Sequence, residues 1–342
     1  MSGYQGRIDL ASRLLGGSVV AANDEFFAEK ENLIKPDEAV HRPATFTLKG
    51  QEYDGWETRR RRDTTDPEAC DWAIIRLGAP GVVSTVVVDT AHFLGNFPES
   101  AAVDLLGMPG YPHVDELVDA KWTEVVARSA LAGGVRNTFE VTEELRATHL
   151  RLRIFPDGGV ARVRAYGAPL PDPLDLVDLP CDLVAMTNGG RVISCSDSFF
   201  SSPDNMLQPG ESRFMGDGWE TARRRGPGHD WAIVALVDEG LPKVAELSTT
   251  HYKGNCPATA TIFGCAEATP GERSEWFAVL EEVELRPDTT HRFRLPGDRP
   301  VRSVRLRIAP DGGIGRFRFY GRLTERGMAA LQQRWHDVGT GM

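Results

Sequence analysis

His92, Gly95, Asn96 and Pro98 form one H-x-x-G-N-x-P phrase, and His251, Gly254, Asn255 and Pro257 form a second. Histidine is the ordinary general acid–base near neutral pH. An asparagine amide can donate to a carbonyl or urea oxygen. Of the eight histidines, these two are the ones that recur at matching places. The structural alternative is a histidine bonded to backbone and an asparagine in the left-handed region that makes the turn.

A second phrase, D-G-W-E-T, also occurs twice. It places Glu57 before Arg59, Arg60, Arg61 and Arg62, and Glu220 before Arg223, Arg224 and Arg225. Extended backbone puts Glu57 and Arg61 on one side, and likewise Glu220 and Arg224. A carboxylate beside a guanidinium stays ionised, so it can act as a base or orient a histidine. It can equally be an internal salt bridge that fixes a loop. Adjacent arginines repel each other unless anions answer them. Those anions are protein carboxylates such as Asp71 and Asp230, or a ligand carboxylate gripped by Arg61 and Arg224.

The elements that carry these residues are themselves duplicated. DLASRLLGGSVVAANDEFF from Asp9 matches DLVAMTNGGRVISCSDSFF from Asp182, and DWAIIRL (71–77) matches DWAIVAL (230–236). LRLRIFPDGGVARVRAYG (150–167) matches VRLRIAPDGGIGRFRFYG (304–321). The separation between matching blocks shrinks stepwise along the chain, as loop deletion in one of two copies would produce. The expected organisation is a first repeat over 1–167, a proline-rich extended tether over 168–181, a second repeat over 182–321 and a helical tail over 322–342. In that tail Met328, Leu331, Trp335 and Val338 share one helical face, which should pack on a domain or a subunit.

The rest reads as strand. HLRLRIF alternates apolar and charged residues, PDGG makes a turn and VARVRAY alternates again, so a hairpin is expected here and at 304–320. VSTVVVDT (83–90) has the β-branched composition of a central strand. The fold class is all-β: two tandem jelly-roll β-sandwich domains with a short C-terminal helix. Phe26, Phe27, Phe199 and Phe200 are expected in the cores, as are Trp56, Trp72, Trp219 and Trp231.

The 342 residues carry a formal net charge of −10, which argues against nucleic acid or an anionic membrane as partner. No apolar run has the length of a signal peptide or a membrane span. Five cysteines without a C-x-x-C fit a reducing, cytoplasmic setting. There is no strong metal spacing, P-loop, dinucleotide fingerprint or G-x-S-x-G, which removes NTPase, dehydrogenase and serine hydrolase readings. No cofactor is called for; a divalent cation stays open, since His, Asp and Asn are competent ligands.

Taken in order, D-G-W-E-T-x-R-R-R, D-W-A-I, V-D-T-A-H-F-x-G-N-x-P and the two R-L-R-I-x-P-D-G-G blocks resemble the allantoicase family. The resemblance runs from about Asp9 to Gly321 in both halves. It implies cleavage of allantoate to ureidoglycolate and urea in purine breakdown, two galactose-binding-like jelly rolls, and assembly into a homo-oligomer. It supplies no site residues, so the assignment comes from the chemistry. Urea is a poor anionic leaving group and needs a proton. His92 or His251 would move it, with Glu57 or Glu220 as base or orienter. Asn96 and Asn255 would hold ureido oxygen, and Arg61 and Arg224 the substrate carboxylate. Cys70 matches His229, Arg59 matches Ala222 and Asp89 matches Ser248, so the halves are not equivalent. One catalytic half, or a site shared by both, are both open. The alternative function is a non-catalytic small-anion or carbohydrate-binding sandwich protein.

Overall fold

The computed structural model describes residues 7–62 and 65–339. They fall into two compact units: 7–170 with Val338 and Gly339, and Pro171–Asp337.

The first unit contains β1 (Ile8–Asp9), β2 (Ser18–Ala22), β3 (Trp56–Glu57), β4 (Asp71–Asp89), β5 (Ser100–Leu106), α1 (Val114–Asp119), β6 (Thr123–Ala130), β7 (Arg136–Glu140), β8 (Arg146–Phe155), β9 (Gly159–Val160) and β10 (Arg162–Pro169). The strand order is β1-β10-β4-β8-β5-β6, all antiparallel, and β2 and β7 also pair with β4. The long β4 organises the unit because it changes partners along its length. Its start, Asp71–Arg76, lies between β8 and β2, and its valine-rich end lies between β10 and β7. VSTVVVDT is therefore a central strand, with Val83, Val86, Val87 and Val88 buried.

The expected hairpin does not form. β8 pairs with the first half of β4 and β10 with the second, so the two strands flank β4 and never pair with each other. The PDGG segment carries the chain across instead of folding it back. Gly158 has φ +139°, which a side chain resists, and a Cβ on Gly159 would lie 2.1 Å from the Phe93 ring. The glycines serve a close approach to the H-x-x-G-N-x-P loop.

The second unit repeats the plan with β11 (Cys181–Asp182), β12 (Arg191–Cys195), β13 (Trp219–Glu220), β14 (Asp230–Ser248), β15 (Thr259–Cys265), β16 (Phe277–Glu284), β17 (Thr290–Arg294), β18 (Val301–Ala309), β19 (Gly313–Ile314) and β20 (Arg316–Leu323). Its order, β11-β20-β14-β18-β15-β16, matches the first strand for strand, and β18 and β20 likewise flank β14 without pairing.

Segment 168–181 is not a free tether. β10 extends to Pro169, the Leu170 amide donates to the Pro80 carbonyl, and Asp172 caps a 3-10 turn at Pro173–Asp175. The tail is α2 (Glu325–Asp337), which packs on β14 and β20 of its own unit. Leu331 is fully buried there, and Arg334 pairs with the buried Asp238 at 2.8 Å.

Candidate active site

Glu57 sits in a two-residue strand because its neighbours leave it no choice. Trp56 is fully buried and its Nε1 donates to the Asp24 carbonyl at 2.7 Å. Thr58 exchanges hydrogen bonds with the Gly158 backbone, its amide donating and its Oγ1 accepting, each at 3.1 Å. Between these anchors Glu57 pairs with Gly159 on β9 and bridges Ala28. Its side chain enters a cleft of about 1180 Å³ lined also by Asn96, Asp24, Phe26, Arg60 and Asp157, among others.

In the cleft the Asn96 side-chain amide donates to Glu57 Oε1 at 2.7 Å. The Asn96 carbonyl accepts from the Gly159 amide at 2.7 Å, so one residue fixes both the loop and the carboxyl. Burial pushes the Glu57 carboxyl above its ordinary value, and the Asn96 hydrogen bond pulls less strongly the other way. A carboxyl that keeps its proton above the usual range is suited to general-acid work.

The arginine run is held by carboxylates at alternate residues. Asp24 accepts the Arg59 amide at 2.9 Å and its Nε at 2.6 Å, and Asp157 accepts the Arg61 amide at 2.8 Å. Glu57 and Arg61 both line the cleft, as do Thr58, Arg59 and Arg60 between them. The Arg61 guanidinium, however, turns to the Cys70 carbonyl at 2.6 Å and to the buried Asp71 at 2.8 Å, where Asn23 also donates. Arg224 does the same with the His229 carbonyl and Asp230. The protein's own carboxylates thus answer both arginines that were expected to grip substrate. Arg60, on the cleft wall, is exposed and has no carboxylate within ion-pair distance among the described residues. The sequence reading names Arg60 in the arginine run that needs an anion but gives the substrate grip to Arg61.

The two histidines lie elsewhere too. His92 is not on the cleft wall; its φ is +70° and its Nε2 meets the Ala39 carbonyl at 3.0 Å, with His41 stacked on the ring. His251 has φ +75° and its Nε2 meets the Ser212 carbonyl at 2.7 Å. The left-handed turn that opens each loop swings the ring away from Glu57 or Glu220 and onto backbone. The asparagines, not the histidines, reach the glutamates: Asn255 donates to Glu220 Oε1 at 2.5 Å.

Phe26, Phe27, Phe199 and Phe200 are not core residues. Phe26 and Phe27 line the cleft, and Phe199 is 72% exposed. The carboxylates of Asp24 and Asp197 accept the Phe26 and Phe199 amides at 3.1 Å, and these tight turns send each aromatic pair outward. Trp56 and Trp219 are fully buried as expected, while Trp72 and Trp231 are half-buried. Ala222 in place of Arg59 leaves Asp197 with a backbone amide but no guanidinium. Among the described residues no three His, Cys, Asp or Glu side chains gather as a metal-binding group. No helix there is long and apolar enough to cross a membrane.

Comparison with known proteins agrees with the duplication. The allantoicase repeat profile matches residues 8–170 and 181–324. A protein named probable allantoicase from Streptomyces avermitilis is 47% identical over 340 residues, covering 97% of this chain and 89% of that one. One of the same name from Pseudomonas aeruginosa is 42% identical over 325 residues, covering 92% and 96%. The crystal structure of allantoicase from Saccharomyces cerevisiae superposes with a TM-score of 0.76 at 34% identity, covering 92% of this chain and 93% of that one.

Proposed function

The chain belongs to the allantoicase family, and on that premise we propose that it hydrolyses allantoate to ureidoglycolate and urea, with the first-repeat cleft as the reaction site. The observation that carries the placement is Glu57: a carboxyl in a wide cleft, raised by burial, held by Asn96, with Arg60 lining the same cleft and without a carboxylate partner among the described residues.

Allantoate carries one carboxylate and two ureido groups on a single carbon. Arg60 holds the carboxylate with parallel N–H donors. The second Asn96 N–H and its Oδ1 remain for a ureido group, since one N–H is committed to Glu57. Glu57 gives its proton to the nitrogen of the departing ureido group as the C–N bond breaks. The nitrogen of the remaining ureido group supplies the electron pair that forms a C=N bond. Water then adds to that carbon, and the Glu57 carboxylate takes the water's proton and is restored. The sum is allantoate plus water to ureidoglycolate plus urea. Positioned proton transfer of this kind typically contributes ~10²–10⁴-fold.

In this reading His92 and His251 anchor loops, and Arg61 and Arg224 fix the backbone that presents Arg60 and Arg223. Glu220 and Asn255 keep the same geometry without Arg59's counterpart, and the second repeat is assigned a supporting part. A cytoplasmic location and a homo-oligomeric state belong to the same reading; the five free cysteines support the first. The direct test is urea release from allantoate by purified protein, with ureidoglycolate assayed alongside, before and after exhaustive chelation. Stoichiometric urea and ureidoglycolate are expected. No urea from folded protein with divalent metals restored would retire the enzyme and leave an anion-binding sandwich protein.

A further inference from the structure

Arg305 and Arg307 stand two residues apart on β18, so their side chains leave the same face of the sheet. Their counterparts on β8, Arg151 and Arg153, both donate to Asp104 at 2.8 Å, and Asp104 is 2% exposed. Arg153 also reaches Glu124 at 2.6 Å. Register identifies what replaces these carboxylates. Arg151 lies opposite Asp104 and Arg305 opposite Phe263; Asp104 lies opposite Glu124 and Phe263 opposite Ala278. Both internal counter-ions are gone, and both arginines remain.

What is left is an arginine pair against aromatic walls. The guanidinium carbons of Arg305 and Arg307 lie 5.3 and 5.7 Å from the centroid of the Phe263 ring, and Arg305 lies 4.6 Å from that of Trp276. Among the described residues Arg305 has no carboxylate within ion-pair distance. Arg307 keeps Glu282 at 3.5 Å, a long contact with a well-exposed side chain. Cation–π contact orients a guanidinium but does not neutralise it. Two like charges on one face are stabilised by an anion between them, which Asp104 supplies in the first repeat; here the one internal carboxylate, Glu282, touches Arg307 alone.

We propose that Arg305 and Arg307 form a binding site for a small oxyanion, a carboxylate or a phosphate, which supplies the negative charge that Asp104 supplies in the first repeat. The ligand needs at least two acceptor oxygens, one for each guanidinium. The site belongs to the second unit, and it stands whether or not the Glu57 cleft of the first carries the reaction. His229 supplies a reporter. Burial, then the nearby Arg307, Arg224 and Arg305, push its imidazole below the ordinary value. An anion on the arginines would offset that push.

The test is an NMR titration of the whole protein with inorganic phosphate and, separately, with acetate, at fixed ionic strength. The Trp276 indole and His229 imidazole signals are followed. Saturable shifts with a rise in the His229 pKa are expected; response to only one of the two anions identifies the ligand as phosphate or carboxylate. Phe263→Asp rebuilds the internal counter-ion and should weaken binding on the order of tenfold or more. Arg305→Gln should do the same, and it carries the test if the first variant fails to fold. Shifts that do not saturate, or that persist unchanged in the folded variants, overturn the site.

Discussion

The Asn96 side-chain amide donates to Glu57 Oε1 at 2.7 Å, and Asn255 makes the same bond to Glu220 at 2.5 Å. Two motifs that read as separate candidates along the chain are thus one unit in space, present in each repeat. The repeats differ in what surrounds the unit. In the first, Glu57 is raised by burial and opens on a cleft walled by Arg60.

Glu57→Gln removes the transferable proton while keeping the shape and a hydrogen-bond acceptor for Asn96. It should lower kcat for urea release by ~10²–10⁴-fold with little change in KM. Glu220→Gln should leave kcat close to the parent value. If only the Glu220 variant loses activity, the reaction belongs to the second repeat.

With Glu57 as the proposed acid, activity should decline as pH rises through its pKa, which lies above the ordinary carboxyl value. The Asn96 hydrogen bond lowers that pKa. Asn96→Ala should therefore move the alkaline limb of the kcat profile to higher pH. A limb that stays in place, or moves to lower pH, would show that another group titrates.

Arg60→Ala should raise KM for allantoate about 10–100-fold, the range expected for a lost charge-assisted hydrogen bond. Arg61→Ala strips the buried Asp71 of its guanidinium and should instead lower the melting temperature. Steady-state kinetics and thermal melts on both variants separate grip from scaffold.

His92→Ala should lower stability by about 1 kcal/mol, through the lost bond to the Ala39 carbonyl. His92→Gly should fold better than His92→Ala, since glycine accepts that φ freely. Denaturant titration checks the order, and both should keep kcat near the parent value; a collapse of kcat in well-folded His92→Gly would return the histidine to the chemistry.

His149 is 1% exposed, and burial, then Arg76, push its imidazole down to about 4. A histidine whose folded pKa is depressed binds its proton more readily when unfolded. Stability is therefore full above the unfolded value near 6.5 and is lost as pH falls from there to about 4. The loss should be on the order of 3 kcal/mol, and His149→Gln should flatten that limb in pH-dependent melts.

The sequence by itself determined the duplication, the all-β class, the buried Trp56 and Trp219, and the residue types grouped around each site. Those properties follow from local repetition: the same phrase adopts the same turn or strand wherever it occurs. Only the tertiary structure decided which side chains meet. β8 and β10 read as a hairpin, yet each chose a different half of β4, because a pairing partner is set by burial across the sandwich and not by a nearby turn. For Arg61 the sequence leaves two answers open, Asp71 or a substrate carboxylate; in the structure Asp71 on β4 takes its guanidinium, and Asp157, far along the chain, takes its amide. His92 read as the proton carrier, but a φ of +70° aims its ring at the Ala39 carbonyl and leaves Glu57 to Asn96. A pattern of spacings fixes what lies along a strand or turn; the direction of a side chain and its long-range partner depend on contacts that no spacing encodes.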